Sequence, residues 1–254
     1  MSYTVVIPAR YASTRLPGKP LLDLGGKPMV QRVYEQVLKA SPRRIIIATD
    51  SEEIAKTASS FGAEVCMTSM DHYSGTERVQ EVVEREDLPQ SEIVVNVQGD
   101  EPLIPPAVID QVAANLQNHS EAGIATLCEP IDTLEMLLDP SIVKVVSDNK
   151  GMALYFSRAP IPWPRDEFAN QKKSLPSETC WFRHLGVYAY KVEFLNSYIK
   201  WPLSKIERIE KLEQLRALAN GINIHVAQAI EPVPGGIDTV ADLERINELF
   251  ARET

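Results

Sequence analysis

The sequence predicts an α/β fold, a mostly parallel central sheet flanked by helices with a smaller antiparallel region in the second half. Three observations carry this reading. Apolar strand-like runs alternate with amphipathic helical runs from residue 3 to about residue 127, an order that builds parallel sheets. Two of those runs, RIIIAT at 44–49 and IVVNV at 93–97, are nearly continuously apolar, as suits strands covered on both faces. From about residue 140 the order changes, because 143–146 and 153–156 flank Asp148-Asn149-Lys150-Gly151, a turn composition that joins antiparallel strands.

The first strand alternates Tyr3, Val5 and Ile7 with Thr4 and Val6, and Pro8, lacking a backbone donor, is expected to end it. Pro28 opens a helix with Val30, Val33, Val37 and Leu38 on one face. After the strand 44–49, residues 51–61 read as a helix with Glu52 and Glu53 in its first turn, where its dipole favours acids, and Gly62 as its stop. Residues 63–67 form the next strand, and Thr76 is expected to cap a helix through Glu86 that turns Val79, Val82 and Val83 inward. Pro105 and Pro106 start a helix with Ile109, Val112 and Leu116 on its apolar side, followed by a strand at 123–127. Residues 158–182, rich in proline and charge, read as an irregular loop or a partner-facing arm. Residues 184–190 are strand-like, and 203–220 read as one helix stopped by Gly221. In that helix Ile206, Ile209, Leu212 and Leu215 make the core stripe, and Glu207, Glu210 and Glu213 the solvated face. Residues 222–226 form a short strand, and Thr239 caps a last helix through Leu249. Neither repeat nor linker interrupts the 254 residues, so a single domain over 1–254 is expected, with about 140–200 as an antiparallel, dimerisation subregion.

Composition narrows the function. The chain is acidic, with 26 basic against 35 acidic residues and a formal charge of -9, which disfavours the broad basic face that nucleic-acid binding needs. No apolar run approaches the ~20 residues of a membrane helix, and no signal-peptide pattern opens the sequence, so cytoplasmic residence without membrane insertion is expected. Cys66, Cys128 and Cys180 are widely spaced and odd in number, which suits buried free thiols. Against this acidic background, residues 8–22 hold three cations and no acid. Arg10, Arg15 and Lys19 follow the first strand directly, and the small residues Ala9, Ala12 and Ser13 let a ligand approach the backbone. Such a loop suits phosphoryl oxygens and a compact polyanion such as a nucleoside triphosphate. It is neither a Walker loop nor a dinucleotide fingerprint, since the required glycine spacings are absent.

In a parallel sheet, ligands bind beyond the carboxyl ends of the strands. There, Asp100 follows Gln98-Gly99 after the strand 93–97, and Asp238 follows Gly235-Gly236-Ile237. Each carboxylate suits Mg2+ held against a phosphate, and each has a plainer reading as a turn or helix cap. A third loop, 68–78, offers hydroxyls, Gly75 and Arg78 just inside a helix, suited to a base or a sugar.

Five segments together, VIPARYASTRLPGKPL, NVQGDEP, YFSRAPIPW, RHLGVYAY and EKLEQLRAL, strongly resemble the 3-deoxy-manno-octulosonate cytidylyltransferase (CMP-Kdo synthetase) family, and the resemblance runs nearly end to end. It implies a nucleotide-diphospho-sugar transferase-like fold, a homodimer, and Mg2+-dependent transfer of the cytidylyl group of CTP to Kdo for lipopolysaccharide biosynthesis. It assigns Arg10, Ser13, Arg15 and Lys19 to the triphosphate, the 68–78 loop with Ser74 and Gly75, together with Gln98, to the cytidine side, and Asp100 and Asp238 to the metal. Arg78, Arg158, His184, Tyr188, Glu213 and Gln214 fall to the acidic sugar. Arg15, Lys19, Asp100 and Asp238 are the expected catalytic set. Two other readings stay open from sequence: a nucleotidyltransferase for another acidic sugar, such as 8-amino-Kdo or sialic acid, and a non-catalytic nucleotide-binding protein.

Overall fold

The computed structural model describes residues 2–12, 16–72, 74–169, 175 and 181–252. Strands β1 (Thr4–Ala9), β2 (Arg44–Thr49), β3 (Glu64–Met67) and β4 (Ile93–Asn96) alternate with helices α1 (Met29–Val37), α2 (Glu52–Ser60) and α3 (Gly75–Arg85). Helix α4 (Pro106–Asn118) leads to β5 (Ile124–Pro130). The short helix α5 (Leu134–Leu138) precedes the hairpin β6 (Lys144–Ser147) and β7 (Ala153–Ser157), and α6 (Arg165–Ala169) precedes β8 (Phe182–Lys191). Then follow α7 (Val192–Tyr198), α8 (Lys205–Glu210), α9 (Gln214–Ala219), β9 (Ile224–Gln228) and α10 (Val240–Arg252).

The main sheet runs β3-β2-β1-β4-β8-β5-β9. β1 to β4 pair in parallel, β8 is antiparallel to both β4 and β5, and β9 is parallel to β5. Apart from β8, every strand on that path therefore points the same way, so their carboxyl ends share one edge. The expected antiparallel region is the β6–β7 hairpin, which also pairs with the start of β8.

Period-two alternation sorts the strand residues into two cores. Val5, Ile7, Ile47, Val95 and Ala125 face α1, α2 and α4 through Val33, Ile54, Val112 and Leu116. Val6, Ile46, Val94 and Ile124 face α3, α7 and α9 through Val79, Val83, Leu195 and Leu215. Each such fully buried side chain contributes about 1.5–3 kcal/mol relative to exposure. Cys66 and Cys128 are buried free thiols, as expected; Cys180 lies outside the described residues, as do 170–174 and 176–180 of the expected arm.

Several expectations are corrected. Pro8 does not end β1, which continues to Ala9 beside β2. Val6 shows why: its carbonyl accepts from Val97 on the β4 side, and Pro8, two residues on, faces that same side where β4 has already ended, so the missing donor breaks no ladder bond. Ser74, not Thr76, caps α3, accepting from the Glu77 amide at 3.2 Å; Thr76 lies buried inside the first turn, 3.2 Å from the Tyr190 hydroxyl. The expected single helix 203–220 is broken at Lys211, which is left-handed at φ 57 and leaves α8 and α9 as separate short helices. That break rotates the stripe, so Ile209 is 81% exposed while the supposedly solvated acids turn inward. Glu207 ion-pairs with Arg216 at 2.7 Å, and Glu210 accepts from Ser157 at 2.6 Å and from the Arg158 amide at 3.0 Å.

Candidate functional site

Where the carboxyl ends of β1 and β4 meet, a cleft of about 230 Å3 opens between the loop after β1, the 97–100 loop, the 234–239 loop and the first turn of α3. Gly18, at φ 66, bends the chain so that its amide returns to the Tyr11 carbonyl at 3.2 Å. A 3₁₀ turn over Lys19–Leu21 follows, anchored by buried Pro20. Gly99 packs against β1 so closely that a Cβ there would sit 2.6 Å from the Pro8 carbonyl oxygen. The two acidic loops are joined through their backbones, the Ile237 amide donating to the Asp100 carbonyl at 2.9 Å.

These constraints bring three remote side chains to one point. The Lys19 ammonium lies 2.5 Å from Asp100 Oδ2 and 3.3 Å from Asp238 Oδ1. Capping of α10 falls to Thr239 and Asp242, which bond one another and whose carboxylate also holds the Asp238 amide. The capping alternative for Asp238 is thereby answered. Behind Asp100, burial and then the charge of Asp100 push the Glu101 carboxyl up to about 8.

Ser74, Gly75 and Arg78 of α3 line the opposite wall with His72 and Gln98. A Cβ on Gly75 would meet the Gln98 amide nitrogen at 3.9 Å. The buried Arg78 guanidinium donates to Thr68 Oγ1 and, at 2.8 Å, to Asp50, and Asp50 also accepts from the Tyr11 amide at 3.1 Å. His72 Nε2 is 2.5 Å from Glu81, which also accepts from the Ser69 amide at 2.8 Å. Burial opposes the Glu81 charge, but the hydrogen bonds from His72, Ser69 and Arg85 together hold its carboxyl below the usual range.

Beyond the first turn of α3, Thr76, Tyr188, Tyr190, Phe194, Tyr198, Glu213 and Gln214 form a second wall. The space against it is about 10 Å3, less than a sugar ring fills. Tyr188 stacks on Tyr190 at 5.6 Å, and Tyr190 on Phe194 at 5.8 Å. Burial raises all three tyrosine hydroxyls, so they remain neutral donors. Burial also raises the Glu213 carboxyl, partly offset by hydrogen bonds from Ser74 and Thr76.

His184 stands beside this wall, its ring 5.3 Å from that of Tyr188. Its Nε2 is 3.0 Å from Thr126 Oγ1, whose hydroxyl donates to the Val187 carbonyl at 2.8 Å. Nε2 is therefore the donor and Nδ1 the acceptor. Burial pushes the imidazole down to about 3, so it is neutral.

The structure thus gathers Arg10, Lys19, Ser74, Gly75, Arg78, Gln98, Asp100 and Asp238 around the first cleft, and Tyr188, Glu213 and Gln214 on the second wall. Arg78, expected with the sugar residues, stands with the nucleotide set. Arg158 is not brought to either, because its guanidinium donates to the Glu210 and Pro140 carbonyls, both at 2.9 Å. Ser13 and Arg15 lie outside the described residues. Sequence reasoning missed Asp50 and Glu81, which hold Arg78 and the 69–72 loop in place. Asp50 follows β2 directly, so the rule that sites gather at carboxyl ends pointed to it.

Two carboxylates already sharing one cation make a donor set suited to Mg2+, which takes one or two protein oxygens and keeps waters. Asp100 and Asp238 are 34% and 51% exposed, which leaves room for those waters. No group of three or more His, Cys, Asp or Glu able to hold a metal occurs among the described residues, so this pair would hold the ion with two carboxylates alone.

Comparison with known proteins bears on this arrangement. A family model described as Cytidylyltransferase matches residues 4–224. The chain is 56% identical over 248 residues to a 3-deoxy-manno-octulosonate cytidylyltransferase of Saccharophagus degradans, covering 97% of each chain. It is 57% identical over 249 residues to the protein of that name from Pseudomonas syringae pv. tomato, covering 98% of each. Among solved structures it resembles a CMP:2-keto-3-deoxy-manno-octonic acid synthetase complexed with CTP, with TM-score 0.89 and 40% identity over 100% of this chain and 99% of that one. A cytidylyltransferase from Leptospira borgpetersenii, at TM-score 0.63 and 15% identity over 99% of this chain and 87% of that one, shares the fold.

Proposed function

The chain belongs to the cytidylyltransferase family, and from that premise we propose that it transfers the cytidylyl group of CTP to 3-deoxy-manno-octulosonate, releasing pyrophosphate and yielding CMP-Kdo for lipopolysaccharide biosynthesis. The observation that carries this reading is the meeting of Lys19 with Asp100 and Asp238 at the floor of the cleft, in a chain 57% identical to a protein bearing that activity in its name. A cation and two carboxylates drawn from three distant segments are what a triphosphate and its metal require.

The anomeric hydroxyl of Kdo attacks the α-phosphorus in line and releases its proton to water, the bond from the α-phosphorus to the bridging oxygen breaks, and pyrophosphate leaves. Catalysis is then positioning plus charge stabilisation. Arg10 and Lys19, with Arg15, bind the phosphates and offset charge growing on the leaving group. Mg2+, held by Asp100 and Asp238, would supply Lewis-acid stabilisation of the α-phosphate. Ser74, Gly75 and Gln98 take the nucleoside side. Arg78, committed to Asp50 and Thr68, shapes that wall and does not meet the sugar. Tyr188, Glu213, Gln214 and neutral His184 offer a polyol both donors and acceptors, and the near-closed wall opens as the sugar enters.

The same reading includes a homodimer and a cytoplasmic location. Leu154 on β7 and Ile209 on α8 are 63% and 81% exposed, on two elements tied by the bond from Ser157 to Glu210, and a second copy would cover that apolar surface. Dependence on CTP places the protein where nucleotides are. No described helix is long and apolar enough to cross a membrane.

Pyrophosphate release from each of the four common nucleoside triphosphates, with Kdo and Mg2+, tests substrate and metal together. Release confined to CTP plus Kdo and lost on chelation supports the reading. Equal turnover of UTP, or release with sialic acid but not with Kdo, overturns it.

A further inference from the structure

We propose that Lys19 is a built-in cation that closes the metal site of the nucleotide-free protein, so that the metal is admitted when a triphosphate draws Lys19 away from the two carboxylates. This rests on the metal site proposed above. The Lys19 ammonium stands 2.5 Å from Asp100 and 3.3 Å from Asp238, on the side of both carboxylates where a shared cation would sit. The Lys19 side chain is 12% exposed, and its backbone is held by the 3₁₀ turn behind Gly18. A divalent ion entering between Asp100 and Asp238 meets a positive charge already there, and two cations that close repel strongly outside bulk water.

A triphosphate changes that balance. It offers Lys19 several anionic oxygens in the same cleft, where Arg10 also stands, and each step that Lys19 takes toward them returns carboxylate charge to the metal. The two binding events are therefore linked, and linkage is reciprocal: whatever factor the nucleotide adds to metal affinity, the metal adds to nucleotide affinity. The device keeps the acidic pair from collecting stray divalent ions between turnovers, and it ties metal uptake to the substrate that needs it.

Binding of Mn2+, followed by the electron paramagnetic resonance signal of the free ion, tests this without turnover. Wild type, Lys19→Gln, Lys19→Ala and Lys19→Arg are titrated without nucleotide, then with CTP kept below the protein concentration and a nucleotide-only blank subtracted. Without nucleotide, wild type and Lys19→Arg bind weakly, whereas both uncharged variants bind about tenfold tighter or more, the order expected for removing a unit charge beside a cation in a half-exposed site. Adding Asp100→Asn to Lys19→Gln abolishes the gain. Uncharged variants that bind Mn2+ no tighter than wild type, while wild type takes it up with CTP, overturn the inference and leave the metal site standing. Absence of Mn2+ uptake by every form, CTP included, overturns both.

Discussion

The Ile237 amide donates to the Asp100 carbonyl across 2.9 Å, and this one backbone bond sets the register of the two acidic loops. Because it joins main chain to main chain, the bond fixes the spacing of the two loop backbones from which the Asp100 and Asp238 side chains reach Lys19. Helix α10 holds the second loop from behind. Ile237 packs with Leu24, Ile246 and Phe250, and Asn247 accepts from the Gly25 amide at 2.9 Å. The carboxyl-terminal helix thus carries Asp238 to the segment that presents Lys19.

Gly236→Ala tests that register. A Cβ at 236 would meet the Asp100 carbonyl oxygen at 3.1 Å and Glu101 Cγ at 3.6 Å, so the loops must part by a few tenths of an ångström. Since a displacement of about 1 Å can cost 100-fold, this smaller shift is expected to lower kcat about tenfold with little change in Tm. Steady-state pyrophosphate release beside a thermal melt measures both. An unchanged kcat would show that loop spacing does not limit the reaction.

The sheet was legible because its signals are local. Ile45–Ile47 and Val94–Val95 are apolar on both faces, and Gly62 and Thr239 stand where helices stop and start. The cationic loop after β1 was legible as contrast, three cations in an acidic chain, and the structure places Arg10 and Lys19 of it at the cleft. The break at Lys211 was not, because a left-handed lysine leaves no mark in a helical period, and the period alone sent Ile209 inward and Glu207 outward. Ser74 and Thr76 are both good caps, and a Tyr190 hydroxyl distant in sequence decided which one turns inward. Arg158 was placed by resemblance, which identifies a residue but not the carbonyls that hold its side chain.

The broken helix makes its own prediction. Glu207 closes the capping box with Ser204 and neutralises Arg216, whose guanidinium lies 4.3 Å from the centre of the Tyr198 ring; the Tyr198 hydroxyl in turn donates to the Glu213 carbonyl at 3.3 Å. Glu207→Leu leaves the buried Arg216 cation with Glu77 alone, 4.0 Å away, a loss approaching the ~3–5 kcal/mol of breaking a buried pair. We expect a large fall in Tm and a raised KM for Kdo with the KM for CTP little changed. Adding Arg216→Met should recover much of the stability, since apolar replacement of a whole buried pair is often neutral. A double variant no more stable than Glu207→Leu would locate the loss in the helix cap.

A last prediction concerns pH and lies away from the cleft. His225 on β9 is 5% exposed, its ring stacks on His119 at 3.7 Å, and its Nδ1 has no hydrogen-bond partner. Burial first, and the neighbouring His119 second, push the His225 imidazole down to about 4 from its ordinary 6.5, with Glu121 pulling weakly the other way. Between those values the unfolded chain binds a proton that the folded protein refuses, so stability rises with pH across that window. The contribution is complete above about 6.5 and is lost as pH falls toward 4. His225→Phe keeps an aromatic ring on His119 and removes the titration. In melts of both proteins from pH 7.5 to 4, wild type should therefore lose stability faster than His225→Phe below about 6.5, because it alone carries this proton. His184, pushed down to about 3, continues to titrate in both and cancels from the difference. Parallel curves would mean that His225 accepts its proton as readily folded as unfolded, and that the stacked pair opens to water before the rest of the fold gives way.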